Sequence, residues 1–141
     1  MLNDPQRFGR ESEGEAARHL QRAGYRIVAR NYRTPFGEID LVAYDGAMLA
    51  FVEVKARRSE RFGAPHEAVT AEKRRRLTRA ALAYLARVRP ERDGPGGADR
   101  GEPPPCRFDL VIIERGEQKE GGGQGRIELL KDVFSPSGEG G

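Results

Sequence analysis

The chain is poor in the residues from which several kinds of function are built. It has one cysteine, Cys106, so an intrachain disulfide is impossible and nothing in its cysteine usage points to an oxidising compartment. Cys106 follows three prolines, a setting that argues against a zinc ligand or an activated thiolate. The two histidines, His19 and His66, form no His/Cys set for a soft metal. No apolar run approaches the ~20 residues that span a bilayer, and residues 1–10 lack the apolar core of a signal peptide, so a cytoplasmic protein without membrane contact is expected. Neither charge sign dominates: 25 Lys and Arg face 22 Asp and Glu, for a net +3. That balance permits nucleic-acid binding without requiring it. Walker loops, dinucleotide fingerprints and serine or cysteine nucleophile motifs are also missing.

What is present suits one compact domain over residues 5–134 of the 141. Pro5 to Ala23 reads as an amphipathic helix, with Ala16, Leu20 and Ala23 on one face and Gly24 where a C-cap glycine belongs. A strand follows from Tyr25 to Tyr32. Two more, Glu38 to Tyr44 and Met48 to Arg57, are joined by a tight turn with Asp45 and Gly46 as its central pair. Thr70 is the expected N-cap of a second helix whose buried stripe is Leu77, Ala81, Tyr84, Leu85 and Val88, and which ends by Pro90. Phe108 to Ile113 reads as a buried strand and Ile127 to Val133 as a last, short one. Residues 91–105 and 116–125, rich in glycine and proline, read as flexible loops and 135–141 as a disordered tail. The order α-β-β-β-α-β-β predicts an α/β domain with helices packed on a central mixed sheet.

Two of these strands carry ionisable groups where a buried sheet should have none. Gly37-Glu38-Ile39-Asp40-Leu41-Val42-Ala43 is followed by Phe51-Val52-Glu53-Val54-Lys55, and a charge among such neighbours is costly unless something pairs or uses it. Strand alternation sets Glu53 and Lys55 on one face and Glu38 and Asp40 on one face. With Asp45 and Gly46 as the central turn residues, Asp40 stands opposite Phe51 and Glu38 opposite Glu53, all on the same side. A loop two residues longer puts Asp40 opposite Glu53. Carboxylates so close repel one another unless a cation joins them, and hard oxygen donors suit Mg²⁺ or Mn²⁺. A lysine two residues beyond a ligating glutamate is placed to position water. The competing reading is an ordinary solvated strand face, against which stand the apolar neighbours on both faces.

An acidic residue, a spacer and Glu-x-Lys resemble the PD-(D/E)xK nuclease superfamily. Taken with Gly14-Glu15-Ala16, Gly24-Tyr25, Asn31-Tyr32-Arg33, Gly37-Glu38-Ile39-Asp40, Phe51 through Arg57, Lys73 and Arg107-Phe108-Asp109, the pattern resembles the YraN family, small bacterial proteins with a restriction-endonuclease-like fold and a predicted nuclease activity. The resemblance implies Asp40 and Glu53 as metal ligands, Lys55 as the catalytic lysine, and Glu15 as the first-helix glutamate that completes such sites in archaeal Holliday junction resolvases. Glu38 is either a carboxylate standing behind the ligands or a turn or structural residue. It implies DNA, branched DNA included, as partner, and a homodimer, because resolvase-like relatives act on paired strands. The 91–105 and 116–125 segments depart from the family pattern without interrupting the site.

The second helix opens on Lys73, Arg74, Arg75 and Arg76, with Arg79 a turn later and Arg57, Arg58 and Arg61 before it. Lys73 and Arg57 are the phosphate-binding candidates; the others suit a solvated helix face. Tyr25, Tyr32 and Tyr84 could stack on bases, but tyrosines in such elements usually pack with only the hydroxyl wet. The leading expectation is therefore a Mg²⁺- or Mn²⁺-dependent endonuclease acting on DNA. The alternatives are a non-catalytic nucleic-acid-binding module of the same fold, and a protein-interaction scaffold working through the Gly/Pro segments.

Overall fold

The structure, a computed structural model, describes residues 5–57, 69–88, 104–114 and 126–134. The loops expected at 91–105 (save residues 104 and 105) and 116–125, the tail at 135–141, and Arg58, Arg61 and His66 lie outside the described residues. The elements are α1 (Pro5–Arg22), β1 (Arg26–Thr34), β2 (Gly37–Asp45), β3 (Met48–Arg57), α2 (Ala71–Arg87), β4 (Cys106–Glu114) and β5 (Arg126–Phe134). The sequence-based order holds, and the result is an α/β fold in which the five strands lie in chain order, β1-β2-β3-β4-β5. β3 and β4 pair in parallel across α2 and every other pair is antiparallel.

Each helix covers one face. On one side Ala16, Ala17 and Leu20 of α1 are completely buried against Leu41, Ala43, Ala50, Val52, Val111 and Ile113. Two alanines in succession let the helix approach the sheet closely. α1 closes at Gly24, whose φ of 97° suits only glycine, while the Tyr25 N–H donates to the Leu20 carbonyl at 2.9 Å. On the other side Leu77, Ala80, Ala81 and Tyr84 of α2, spaced as one helix face, pack on Ile39, Val42, Leu49, Phe51 and Phe108. Rings meet edge-on there, Tyr32 with Tyr84 at 4.9 Å and Phe51 with Tyr84 at 5.7 Å. Thr70 caps α2, its hydroxyl accepting the Lys73 N–H at 3.2 Å.

The turn between β2 and β3 differs from the one expected. Asp45 pairs with Met48, so Gly46 and Ala47, not Asp45 and Gly46, are the central residues. Gly46 alone takes positive φ, at 65°. A single glycine in the first central position is enough for a type II′ turn, which leaves Asp45 free to act as a strand residue. The slip brings the register to the one in which Asp40 and Glu53 are nominally opposite.

Asp45 is used at this end of the sheet by a buried polar network. The Asp109 carboxylate, with no exposed side-chain surface, accepts the Arg107 Nε–H at 2.8 Å, the Tyr25 hydroxyl at 2.7 Å and the Asp132 N–H at 2.9 Å. Arg107 donates onward to Asp45 at 2.6 Å and to the Tyr25 hydroxyl at 2.8 Å. The Arg107 guanidinium holds the Asp45 carboxyl below its usual range. Burial, and then the bond it donates to Asp109, keep the Tyr25 phenol protonated far into the alkaline range. Removing one member strands the others' charges away from water. Asp109→Ala should cost roughly 3 kcal/mol or more in urea unfolding, whereas Arg126→Ala, at a pair whose arginine side chain is 67% exposed, should cost under about 1 kcal/mol. Equal losses would contradict the structural role given to Asp109.

Candidate active site

The expected carboxylates meet at the opposite end of the sheet, where β2 and β3 separate. Their ladder runs from Asp45 paired with Met48 to Leu41 paired with Val52 and stops there, although β2 stays paired with β1 to Gly37 and β3 with β4 to Arg57. Asp40 closes the fork. Its carboxylate accepts the Val54 N–H at 2.8 Å, replacing the strand carbonyl that β2 no longer offers.

Strict alternation fails at this point. Ile39 packs on the α2 face and Leu41 on the α1 face, so Asp40 sits at a step between the two. Asn31, on the neighbouring strand, takes a left-handed φ of 49°. Glu38, Asp40 and Glu53 do line one cleft, as expected, but not by strict alternation: Asp40 reaches the gap between strands, and groups from both faces converge on it.

From the α1 face comes Glu13. Its carboxyl oxygen lies within 4.8 Å of carboxylate oxygens of Glu38 and Asp40, which are as close to each other. Glu15, the helix glutamate implied by the resemblance, is half-buried and is not one of these three. The signal for Glu13 was in the helix: residues 13, 16, 17 and 20 form one stripe, and the last three are buried. Glu15 falls on its flank.

From the α2 face come Glu53 and Lys73, whose ammonium lies 2.6 Å from the Glu53 carboxylate. Glu38, Asp40, Glu53, Lys73 and Arg76 line one open cleft of about 240 Å³, with Leu77 and Ala80 as its apolar wall. Lys55 is exposed one strand step beyond Glu53. Lys73, expected at phosphate, is therefore inside the carboxylate cleft. Arg57, expected there too, is engaged elsewhere: it pairs at 2.9 Å with Glu114, its neighbour on β4, with both side chains only 13% exposed.

Burial, then the Glu53 charge, push the Asp40 carboxyl up to about 8, against the pull of the Val54 N–H; Glu13 and Glu38 raise it further. Burial raises Glu13 as well. With its carboxyl pushed up this far, Asp40 holds a proton near neutrality when no cation is bound. The donor set fits a hard divalent cation: it is all oxygen, and its repulsion is what a cation relieves.

The profile of a family described as "Uncharacterised protein family UPF0102" matches residues 12–113, which takes in Glu13, the fork and all of α2. A UPF0102 protein of Symbiobacterium thermophilum is 49% identical over 128 residues, covering 91% of this chain and 96% of the relative. One from Desulfosudis oleivorans is 46% identical over 134 residues, covering 95% and 94%. One from Nocardia farcinica is 52% identical over 112 residues, covering 79% and 80%.

The raised Asp40 value has a pH signature. A folded-state value near 8, against an ordinary 3.8, means that the protonated group favours the fold fully below about pH 4 and that this stability is lost as pH rises through 8. Asp40→Asn still accepts the Val54 N–H and cannot ionise. In chelator it should melt above the wild type by several degrees or more at pH 9, with the gap closing toward pH 4. A gap independent of pH would show that Asp40 is not held protonated.

Proposed function

This chain belongs to the UPF0102 (YraN) family, and on that premise we propose that it is a divalent-metal-dependent endonuclease that hydrolyses phosphodiester bonds in DNA, branched or otherwise structured DNA included. The observation that carries the reading is the convergence of the Glu13, Glu38 and Asp40 oxygens within 4.8 Å, with Glu38 and Asp40 lining a cleft that also holds two cationic side chains. Glu13, Glu38 and Asp40 would hold Mg²⁺ or Mn²⁺, with Glu53 the further carboxylate beside them. When bound, the cation supplies charge neutralisation at a phosphate oxygen and acidifies water.

The chain's own groups divide the remaining work. Asp40 is anchored by the Val54 N–H, so its orientation is set before any ligand arrives. A carboxylate oxygen of this cluster that the cation leaves free would take the proton that leaves an attacking water as its oxygen joins phosphorus. Lys55, exposed two residues beyond Glu53 on β3, would donate to a phosphate oxygen or to that water, and its charge would oppose the negative charge that grows as the bond to the leaving oxygen breaks. Lys73 keeps Glu53 in the cleft, and Arg76 adds a second cation for the phosphate backbone.

One observation favours the rival reading of a binding module without catalysis. Glu53 is already neutralised by Lys73, so part of the cleft is balanced with no cation at all. The two readings separate on labelled single-stranded, duplex, flap and four-way-junction DNA with Mg²⁺ or Mn²⁺. Glu13→Gln, Asp40→Asn and Lys55→Ala should each lower cleavage roughly 100-fold or more, while Glu15→Gln stays within a few-fold of wild type. Cleavage that survives Asp40→Asn and Glu13→Gln would assign the activity to another site or another protein. Salt-sensitive binding without cleavage on any substrate would favour the binding module.

A further inference from the structure

Phe36 is the exposed aromatic ring among the side chains the structure describes, at 45% exposure. The other described rings are buried or half-buried. It stands at the tip of the β1–β2 hairpin, where Pro35 and Phe36 form a two-residue loop between the paired Thr34 and Gly37.

The tip is stiff. Pro35 has a fixed φ. The Thr34 hydroxyl accepts the Phe36 N–H at 3.0 Å and donates to the Gly37 carbonyl at 2.7 Å. Gly37 takes a φ of 138°, and the Cγ and Cδ of Arg76 lie 3.2 Å from where its side chain would begin, so the arginine stem fastens the hairpin to α2. The ring is held out by its mount and not left there by a slack loop. Gly37 and Arg76 are also part of the carboxylate cleft, which sets the Phe36 tip beside it. Arg33, one residue before Thr34, carries a side chain 87% exposed. Among the described residues the other exposed large apolar side chains, Val28 and Leu82, are aliphatic and offer no π-face.

We propose that Phe36 stacks on an unpaired nucleobase of the DNA whose backbone lies in the carboxylate cleft, so that flaps, branch points and single strands are taken in preference to uninterrupted duplex. The inference rests on the nuclease reading of that cleft and names its substrate class. Within a duplex both faces of every base are already stacked, and a ring on a short rigid tip has nothing to cover. An unpaired base beside the cleavage point offers a free π-face, with Arg33 and Arg76 on the flanking phosphates.

The chain contains no tryptophan, so Phe36→Trp installs the sole indole at the proposed contact, excited selectively beyond the tyrosine absorption band. In an Asp40→Asn background, which keeps the DNA intact, flap DNA should quench that emission strongly and a duplex closed at both ends by loops of non-nucleotide linker should not. In parallel, Phe36→Ala should weaken binding of labelled flap DNA about tenfold and leave the closed duplex unchanged, at an unaltered melting temperature. Equal quenching by both DNAs, or a Phe36→Ala protein that binds flap DNA as wild type does, overturns the stacking inference alone. Wild type that binds neither DNA overturns it together with the nucleic-acid reading beneath it.

Discussion

The bond from the Val54 N–H to the Asp40 carboxylate holds together a sheet that is otherwise opening. Continuous pairing of β2 with β3 would have directed Asp40 to one face and closed the gap between the strands. Because the ladder ends at Leu41 and Val52, a backbone donor in the middle of the sheet needs an acceptor, and a side chain supplies it. That substitution turns the acid into the floor of a fork reachable from both faces. Glu13 arrives on α1 from one side, and Glu53 and Lys73 from the other.

The two ends of the sheet handle buried charge in opposite ways. At the hairpin end Asp109 has no exposed side-chain surface, yet each oxygen has donors, from Arg107, Tyr25 and the Asp132 backbone. Arg107 is matched in turn by Asp45. Such a set is complete and has no capacity for a ligand. At the fork, burial and three acidic neighbours outweigh the one backbone donor to Asp40, and its affinity for a proton rises in consequence. An unmet demand for positive charge is what distinguishes a binding site from a structural network. The Lys73–Glu53 pair meets only part of that demand.

Much of the fold was legible because it depends on periodicities that operate locally. The α1 alanines, the Thr70 cap, the Leu77 to Tyr84 stripe and the apolar β4 run each declare their element within a few residues of sequence. The hairpin register was missed by two positions because Asp45-Gly46 and Gly46-Ala47 are both acceptable turns, and the choice between them is made by Arg107, which holds Asp45 as a strand residue. Asp40 and Glu53 stood out as acids among apolar neighbours, and both line the cleft. Arg57 looked equally available in the sequence, but its pairing with Glu114 depends on a parallel strand far along the chain.

The sequence by itself determined the elements, their order, and the presence of acids in strands that must be central. These follow from side-chain period and desolvation cost, which are properties of a short segment. Only the tertiary structure decided which acids meet. Choosing Glu13 over Glu15 required knowing that α1 lies across the fork with the stripe of residues 13, 16, 17 and 20 inward. Placing Asp40 between the faces required the irregularity at Asn31 and Asp40, where two strands together abandon alternation. Contacts of that kind arise from the packing of elements distant in the chain, and no local period encodes them.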